Sequence, residues 1–85
     1  MSELESLDAR GLLCPLPVIR TQDRVRNLPE GTRLEVMATD PGTMQDIPAW
    51  CRVHGHALLA SETVGDESGE GLVYRFRILI GGSPR

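Results

Sequence analysis

The sequence contains no lysine: all nine cationic side chains are arginine. That excludes a Schiff-base lysine and the lysine of a phosphate-binding P-loop. Aromatic residues are scarce. Trp50, Tyr74 and Phe76 are the full set, too few for a base-stacking platform, so the core must be mostly aliphatic. No apolar run approaches the ~20 residues needed to cross a bilayer, and no membrane association is expected. An excess of positive charge is also missing. The net charge of −3 disfavours tight nucleic-acid binding through phosphate neutralisation. The opening stretch Met1-Ser2-Glu3-Leu4-Glu5 is acidic and polar, unlike a signal peptide, so the expected compartment is the cytoplasm. Two cysteines without an export signal do not suggest a disulfide framework. Cys14, Cys51, His54 and His56 lack the paired spacing of a structural zinc site. No metal and no other cofactor is expected.

What is present fits one domain spanning all 85 residues, with a structured core from about residue 5 to about residue 80. A hydrophobic fraction of 40% with 25% charged residues is ordinary for a globular chain and argues against disorder. Leu4 to Ala9 reads as a short strand. Pro15 and Pro17 then mark a helix start, because a proline in the first turn has no amide hydrogen to lose and a φ already helical. The spacing predicts a helix from Pro15 to Leu28, with Leu16, Ile19, Val25 and Leu28 on its apolar stripe and Val18 beside it. Thr32 to Thr39 alternates, with Leu34, Val36 and Ala38 on one side, and reads as a half-buried strand.

A second helix should start between Thr43 and Asp46 and run to His54. Thr43 with Asp46 three residues on resembles a capping box, yet Pro48 argues for a late start with Asp46 as N-cap. Gly55 should end it. Ala57 to Val64 and Leu72 to Ile80 read as strands of a hairpin around the glycine-containing turn Gly65 to Gly71. Residues 81–85 read as a frayed tail. The order is β-α-β-α-β-β. The two crossings predict parallel pairing, and the hairpin adds an antiparallel pair. Two short helices cover one face only, so the fold class is α+β: a two-layer sandwich with a four-stranded mixed sheet.

Cys14 is the sharpest feature. Gly11 permits a tight or positive-φ conformation just before it, and Pro15 and Pro17 stiffen the turn that follows. At the N-terminus of a helix, unpaired amides and the dipole would favour a thiolate, the nucleophilic form. Arg10 would add positive potential and is itself a candidate for a partner interface. A buried, space-filling cysteine is the alternative.

At this residue the sequence also meets a known family. The stretch Leu7-Asp8-Ala9-Arg10-Gly11-Leu12-Leu13-Cys14-Pro15-Leu16-Pro17 resembles the Cys-Pro-x-Pro signature of the TusA/SirA sulfur carriers. Arg24-Val25-Arg26-Asn27-Leu28, Asp40-Pro41-Gly42-Thr43, Asp46-Ile47-Pro48-Ala49-Trp50-Cys51 and His56-Ala57-Leu58 follow the same pattern in order and spacing. The match covers roughly residues 7–80, and the Asp-Ile-Pro-x-aromatic-Cys stretch is similar to the TusA branch. The turn Gly65 to Gly71 is longer than the family pattern, and any basic docking patch is arginine only. The resemblance implies that a cysteine desulfurase, or another persulfide donor, loads sulfur onto Cys14, which passes it to a downstream relay protein. In the best-known pathway the relay ends in 2-thiolation of tRNA uridine. Relatives serve molybdenum-cofactor assembly or dissimilatory sulfur oxidation. The implied fold is the same two-layer sandwich, and a carrier that changes partners is expected to be a monomer.

The remaining candidates each have a plainer reading. Cys51, beside Ile47 and Trp50, reads as a packed core residue, with a resolving cysteine for Cys14 as the alternative. His54 and His56 straddle Gly55 and read as surface or packing residues. Asp40 and Asp46 read as turn and cap residues. The 40–46 loop lies at the same ends of the βα units as Cys14, and by resemblance Asp40 and Pro41 are interface candidates. Arg20 and Arg24 are either a solvated helix face or a docking surface for an acidic partner. Gly81-Gly82 suggests a C-terminal thiocarboxylate only if Ser83-Pro84-Arg85 were removed. A thiol–disulfide protein using Cys14 and Cys51, and a non-catalytic interaction module, are the rival functions.

Overall fold

In the computed structural model, which describes residues 4–65 and 71–82, the alternating segments become four strands. They are β1 (Leu4–Ala9), β2 (Arg33–Ala38), β3 (Ala57–Gly65) and β4 (Leu72–Leu79). Two helices, α1 (Leu16–Val25) and α2 (Thr43–His54), separate the first three strands. One sheet forms, in the order β1-β2-β4-β3. β1 and β2 are parallel, while β4 is antiparallel to both β2 and β3. The α+β sandwich with a four-stranded mixed sheet is therefore as predicted. One pairing is not: β2 and β3 run in the same direction but do not pair, because β4 lies between them. A crossover fixes strand direction, and it leaves open whether a later strand inserts.

One sheet face is apolar. Leu34, Val36, Ala38, Phe76 and Ile78 are buried there against Ile47, Trp50 and Cys51 of α2. The other face is polar, and Glu35 on it bridges Arg75 at 3.3 Å and Arg77 at 3.4 Å. This is the period-two pattern of a sheet covered on one side.

The structure corrects the expected end of α1 and the late, Asp46-capped start favoured for α2. α1 ends at Val25, not Leu28, as the Asn27 and Leu28 amides turn back to Arg24 O and Val25 O. Its buried residues are Pro17 and Thr21, with the Thr21 hydroxyl donating to Pro17 O at 2.7 Å. Leu16 and Ile19, placed on the core stripe by their spacing, are 43% and 47% exposed. α2 starts early, at Thr43, with Gly42 as N-cap and Pro48 inside the helix. Its first turn is fixed without a side-chain cap. The amide and hydroxyl of Thr43 both donate to Asp40 O, and the amides of Gln45 and Asp46 donate to Gly42 O. These four bonds offset the one amide that Pro48 lacks. Gly55 ends α2 as expected, at φ 78°, where His56 N–H reaches Cys51 O at 2.9 Å.

The chain past β4 is held. Ile80 N–H donates to Thr32 O, and Gly81 N–H donates to His56 Nδ1 at 2.9 Å. His56 also lies 4.8 Å from the Trp50 ring centroid. Gly81 and Gly82 therefore do not belong to a frayed tail. Residues 83–85 and the centre of the lengthened hairpin turn, 66–70, lie outside the described residues. No helix among the described residues is long and apolar enough to cross a membrane.

Candidate functional site

The site is built where the β1–α1 and β2–α2 loops meet. Leaving β1, the chain turns at Arg10. Its amide and guanidinium bind the Asp8 carboxylate at 3.0, 2.8 and 2.9 Å. These bonds to Arg10 hold the Asp8 carboxyl down at about 2. Gly11 follows at φ 81°, a conformation that suits glycine, and its amide donates to Thr39 Oγ1 at 2.9 Å. Leu12 and Leu13 lead to Cys14, whose peptide bond to Pro15 is cis.

Two aspartates receive Cys14. Its amide donates to Asp40 Oδ2 at 2.6 Å, and its thiol donates to Asp46 Oδ2 at 2.7 Å. Asp40 also accepts the Gly42 amide through Oδ1, so one side chain braces both loops. Gly42 lies close under the cysteine: a Cβ there would sit 3.7 Å from Cys14 Cβ. Pro41 is exposed on the same loop and lines an open depression of about 760 Å³ with Arg10, Thr39 and Tyr74. Cys14 itself is exposed, so its sulfur is open to solvent.

The electrostatics correct the expectation of a thiol activated by the helix terminus. The Cys14 pKa is raised, first by its hydrogen bond to Asp46, then by desolvation and by the charges of Asp46 and Asp40. The amides of the first turn explain why no helix-terminus effect opposes this. Pro15 and Pro17 have none. Leu16 N–H is bonded to Leu13 O, and Val18 and Ile19 N–H are both bonded to Pro15 O. None of these amides is left for the sulfur.

The cationic candidates divide. Arg10 is engaged by Asp8. Arg24 is engaged within the chain: it binds Glu5 Oε1 at 2.5 Å and Ser6 O at 3.2 Å, fastening α1 to β1. Arg20 stays exposed on α1. Cys51 is 1% exposed, and burial pushes its thiol up to about 11. Sequence reasoning missed two features. Asp46 reads as a cap from its spacing, yet it is the partner of the thiol. The exposed apolar side chains near the motif, Leu13 at 73% with Leu16 and Ile19, were assigned to connection or core. The signal for Asp46 was its position one turn into α2, at the end of the sheet that also carries Cys14.

Among the described residues, no cluster of three histidine, cysteine or carboxylate side chains could hold a metal ion.

A family model described as "Sulfurtransferase TusA" matches residues 5–79. The chain belongs to the TusA family. A Bacillus subtilis protein named as a sulfur carrier, YrkF, is 43% identical over 60 residues, covering 71% of this chain and 32% of the relative. The chain thus spans about a third of the length of that curated relative. The crystal structure of a SirA-like protein from Desulfitobacterium hafniense superposes with a TM-score of 0.64 at 20% identity. It covers 96% of this chain and 100% of its own. It shows that the TusA-family chain shares this two-layer fold.

Proposed function

We propose that this chain is a sulfur carrier. Cys14 takes sulfane sulfur from a cysteine desulfurase, or another persulfide donor, as a persulfide and hands it to a downstream relay protein. The observation that carries the reading is an exposed thiol on a braced Cys-Pro-x-Pro loop, in a chain of the TusA family. Exchange between a thiol and a persulfide needs access for the attacking and leaving sulfurs, and an exposed loop provides it. The second thiol is buried and pushed up to about 11, which speaks against a Cys14–Cys51 redox pair.

The pathway most in keeping with the TusA-branch residues Asp46-Ile47-Pro48-Ala49-Trp50-Cys51 is tRNA 2-thiouridine synthesis. Dissimilatory sulfur oxidation and molybdenum-cofactor assembly use the same carrier chemistry. In this reading the chain acts in the cytoplasm as a monomer. It meets protein partners rather than binding nucleic acid tightly, in keeping with its net charge of −3. Arg20, Asp40 and Pro41 lie where such partners would dock.

Intact mass after incubation with a cysteine desulfurase and cysteine tests the proposal. The wild type should gain one sulfur, removable by reductant. Cys14→Ser should gain none, and Cys51→Ser should load like the wild type. Loading of Cys14→Ser to the wild-type level would overturn the mechanism.

A further inference from the structure

The sulfur of Cys14 is exposed, yet it is held. Its proton is directed onto Asp46 Oδ2 at 2.7 Å, while the Cys14 amide is pinned by Asp40 Oδ2 at 2.6 Å. Amide and thiol are thus fixed by two carboxylates from one loop–helix segment. Asp46 is half-buried in the first turn of α2, on a backbone already anchored through its amide to Gly42 O. The carboxylate is therefore a fixed acceptor rather than a passing one. Among the described residues, the charged groups that raise the thiol's pKa, Asp46 of α2 and Asp40 of the β2–α2 loop, are both negative. The nearest cation along the Cys14 loop, Arg10, is paired with Asp8.

The geometry points to Asp46 as the residue that keeps the proton on Cys14 between partner encounters and so guards the carrier against exchange with bystander thiols. The inference deepens the sulfur-carrier reading and rests on it. In loading, the Cys14 thiolate attacks the outer sulfur of the donor's persulfide. A new S–S bond forms on Cys14 and the donor's S–S bond breaks. The donor cysteine leaves as a thiolate and takes up the proton that Cys14 gave up. Discharge to an acceptor thiol is the same exchange in reverse roles, with one S–S bond made for one broken and no net oxidation.

Asp46 opposes both steps for a casual reactant. Loading needs a Cys14 thiolate beside a carboxylate, which the hydrogen bond to the protonated form disfavours. Discharge expels that same thiolate beside the same carboxylate, and a thiol that holds its proton more tightly is the slower leaving group. A small thiol brings nothing to offset this. A partner that presents a cation to Asp46 removes the obstacle at the moment of transfer.

The test uses the full chain and its Asp46→Asn and Asp46→Glu variants. The first readout is the rate of Cys14 alkylation by iodoacetamide as a function of pH. The second is the rate at which glutathione strips sulfur from the persulfidated chain. In Asp46→Asn the alkylation profile should move to lower pH, with several-fold faster alkylation at neutral pH and several-fold faster stripping. Asp46→Glu should return both toward wild type. A merely structural role for Asp46 would not move the pH profile. Should Asp46→Asn fail to fold by circular dichroism, Asp46→Ser replaces it. Profiles and stripping rates that superimpose on wild type in a folded, loadable variant would overturn the inference and leave the carrier reading standing. Failure of the wild type to load at all would instead overturn the carrier reading.

Discussion

Cys14 and Cys51 are the same side chain in opposite settings, and both are held protonated. Cys51 is 1% exposed among Ile47, Trp50 and Phe76, and loss of solvation raises its pKa to about 11. Cys14 is open to solvent, and a hydrogen bond to Asp46 raises its pKa. The first cause is permanent, because it comes from packing that only unfolding reverses. The second is removable, because its largest cause is one hydrogen bond to a surface-lying carboxylate. A thiol restrained by one neighbour can be switched on by a partner; a thiol restrained by the whole core cannot. What separates the two thiols is access and the Asp46 hydrogen bond, and no amide of the α1 terminus is left to offset either.

The largest expected contrast is all or none. Under native conditions iodoacetamide should modify one residue in the wild type, and none in Cys14→Ser, as read by peptide mass. Cys51→Ala should be modified to the same extent as the wild type. Modification of Cys51 in the folded chain would erase the difference between the two thiols.

A second contrast lies in alkaline solution. The ordinary thiol value is 9.0, and the folded-state value of Cys51 is about 11. As pH rises, the unfolded chain loses this proton first. Between these values the folded state binds more protons, so stability falls with rising pH, and the contribution is fully present only below pH 9. A rise from 9.0 to about 11 corresponds to a loss of at most about 3 kcal/mol. Urea unfolding of wild type against Cys51→Ala should show this extra slope in the wild type alone. Equal slopes would mean that Cys51 is better solvated than its packing implies.

At neutral pH, Cys51→Ser places a hydroxyl in an apolar site and should cost about 1–3 kcal/mol in urea unfolding. Cys14→Ser, on the surface, should stay within about 0.5 kcal/mol of wild type. A comparable loss in both variants would show that the Cys14 loop contributes to the core.

Much of this contrast was legible in the sequence, and the reasons are local. Alternation at Leu34, Val36 and Ala38, and at Tyr74, Phe76 and Ile78, reports a sheet with one buried face, because side chains of a strand alternate strictly. Gly55 reports a helix end through its left-handed φ. Cys51 reads as buried from its place beside Ile47 and Trp50. The failures needed tertiary information. Leu16 and Ile19 have core chemistry but lie exposed, while Thr21 is buried with its hydroxyl satisfied by Pro17 O. Hydrophobic spacing cannot distinguish an apolar face left exposed from one packed inside. The insertion of β4 between β2 and β3 leaves strand direction unchanged, so no crossover rule reveals it. Asp46 looked like a cap because its partner is 32 residues away in sequence. The α1 terminus does not act on Cys14, because each amide of that turn is absent at proline or bonded to a carbonyl.

The smallest expected effect separates the two aspartates that hold Cys14. Asp40 grips the backbone and Asp46 grips the sulfur, so their losses should register in different measurements. Asp40→Ala removes the acceptor for the Cys14 and Gly42 amides and should cost about 1–2 kcal/mol in urea unfolding, the net worth of two such bonds near the surface. Its charge acts on the thiol only as the weakest of the causes that raise it. The alkylation profile should therefore move less in Asp40→Ala than in Asp46→Asn, and in the same direction. If Asp40→Ala instead moved the profile further than Asp46→Asn, the position of the loop, rather than the hydrogen bond to Asp46, would be what restrains the Cys14 thiol.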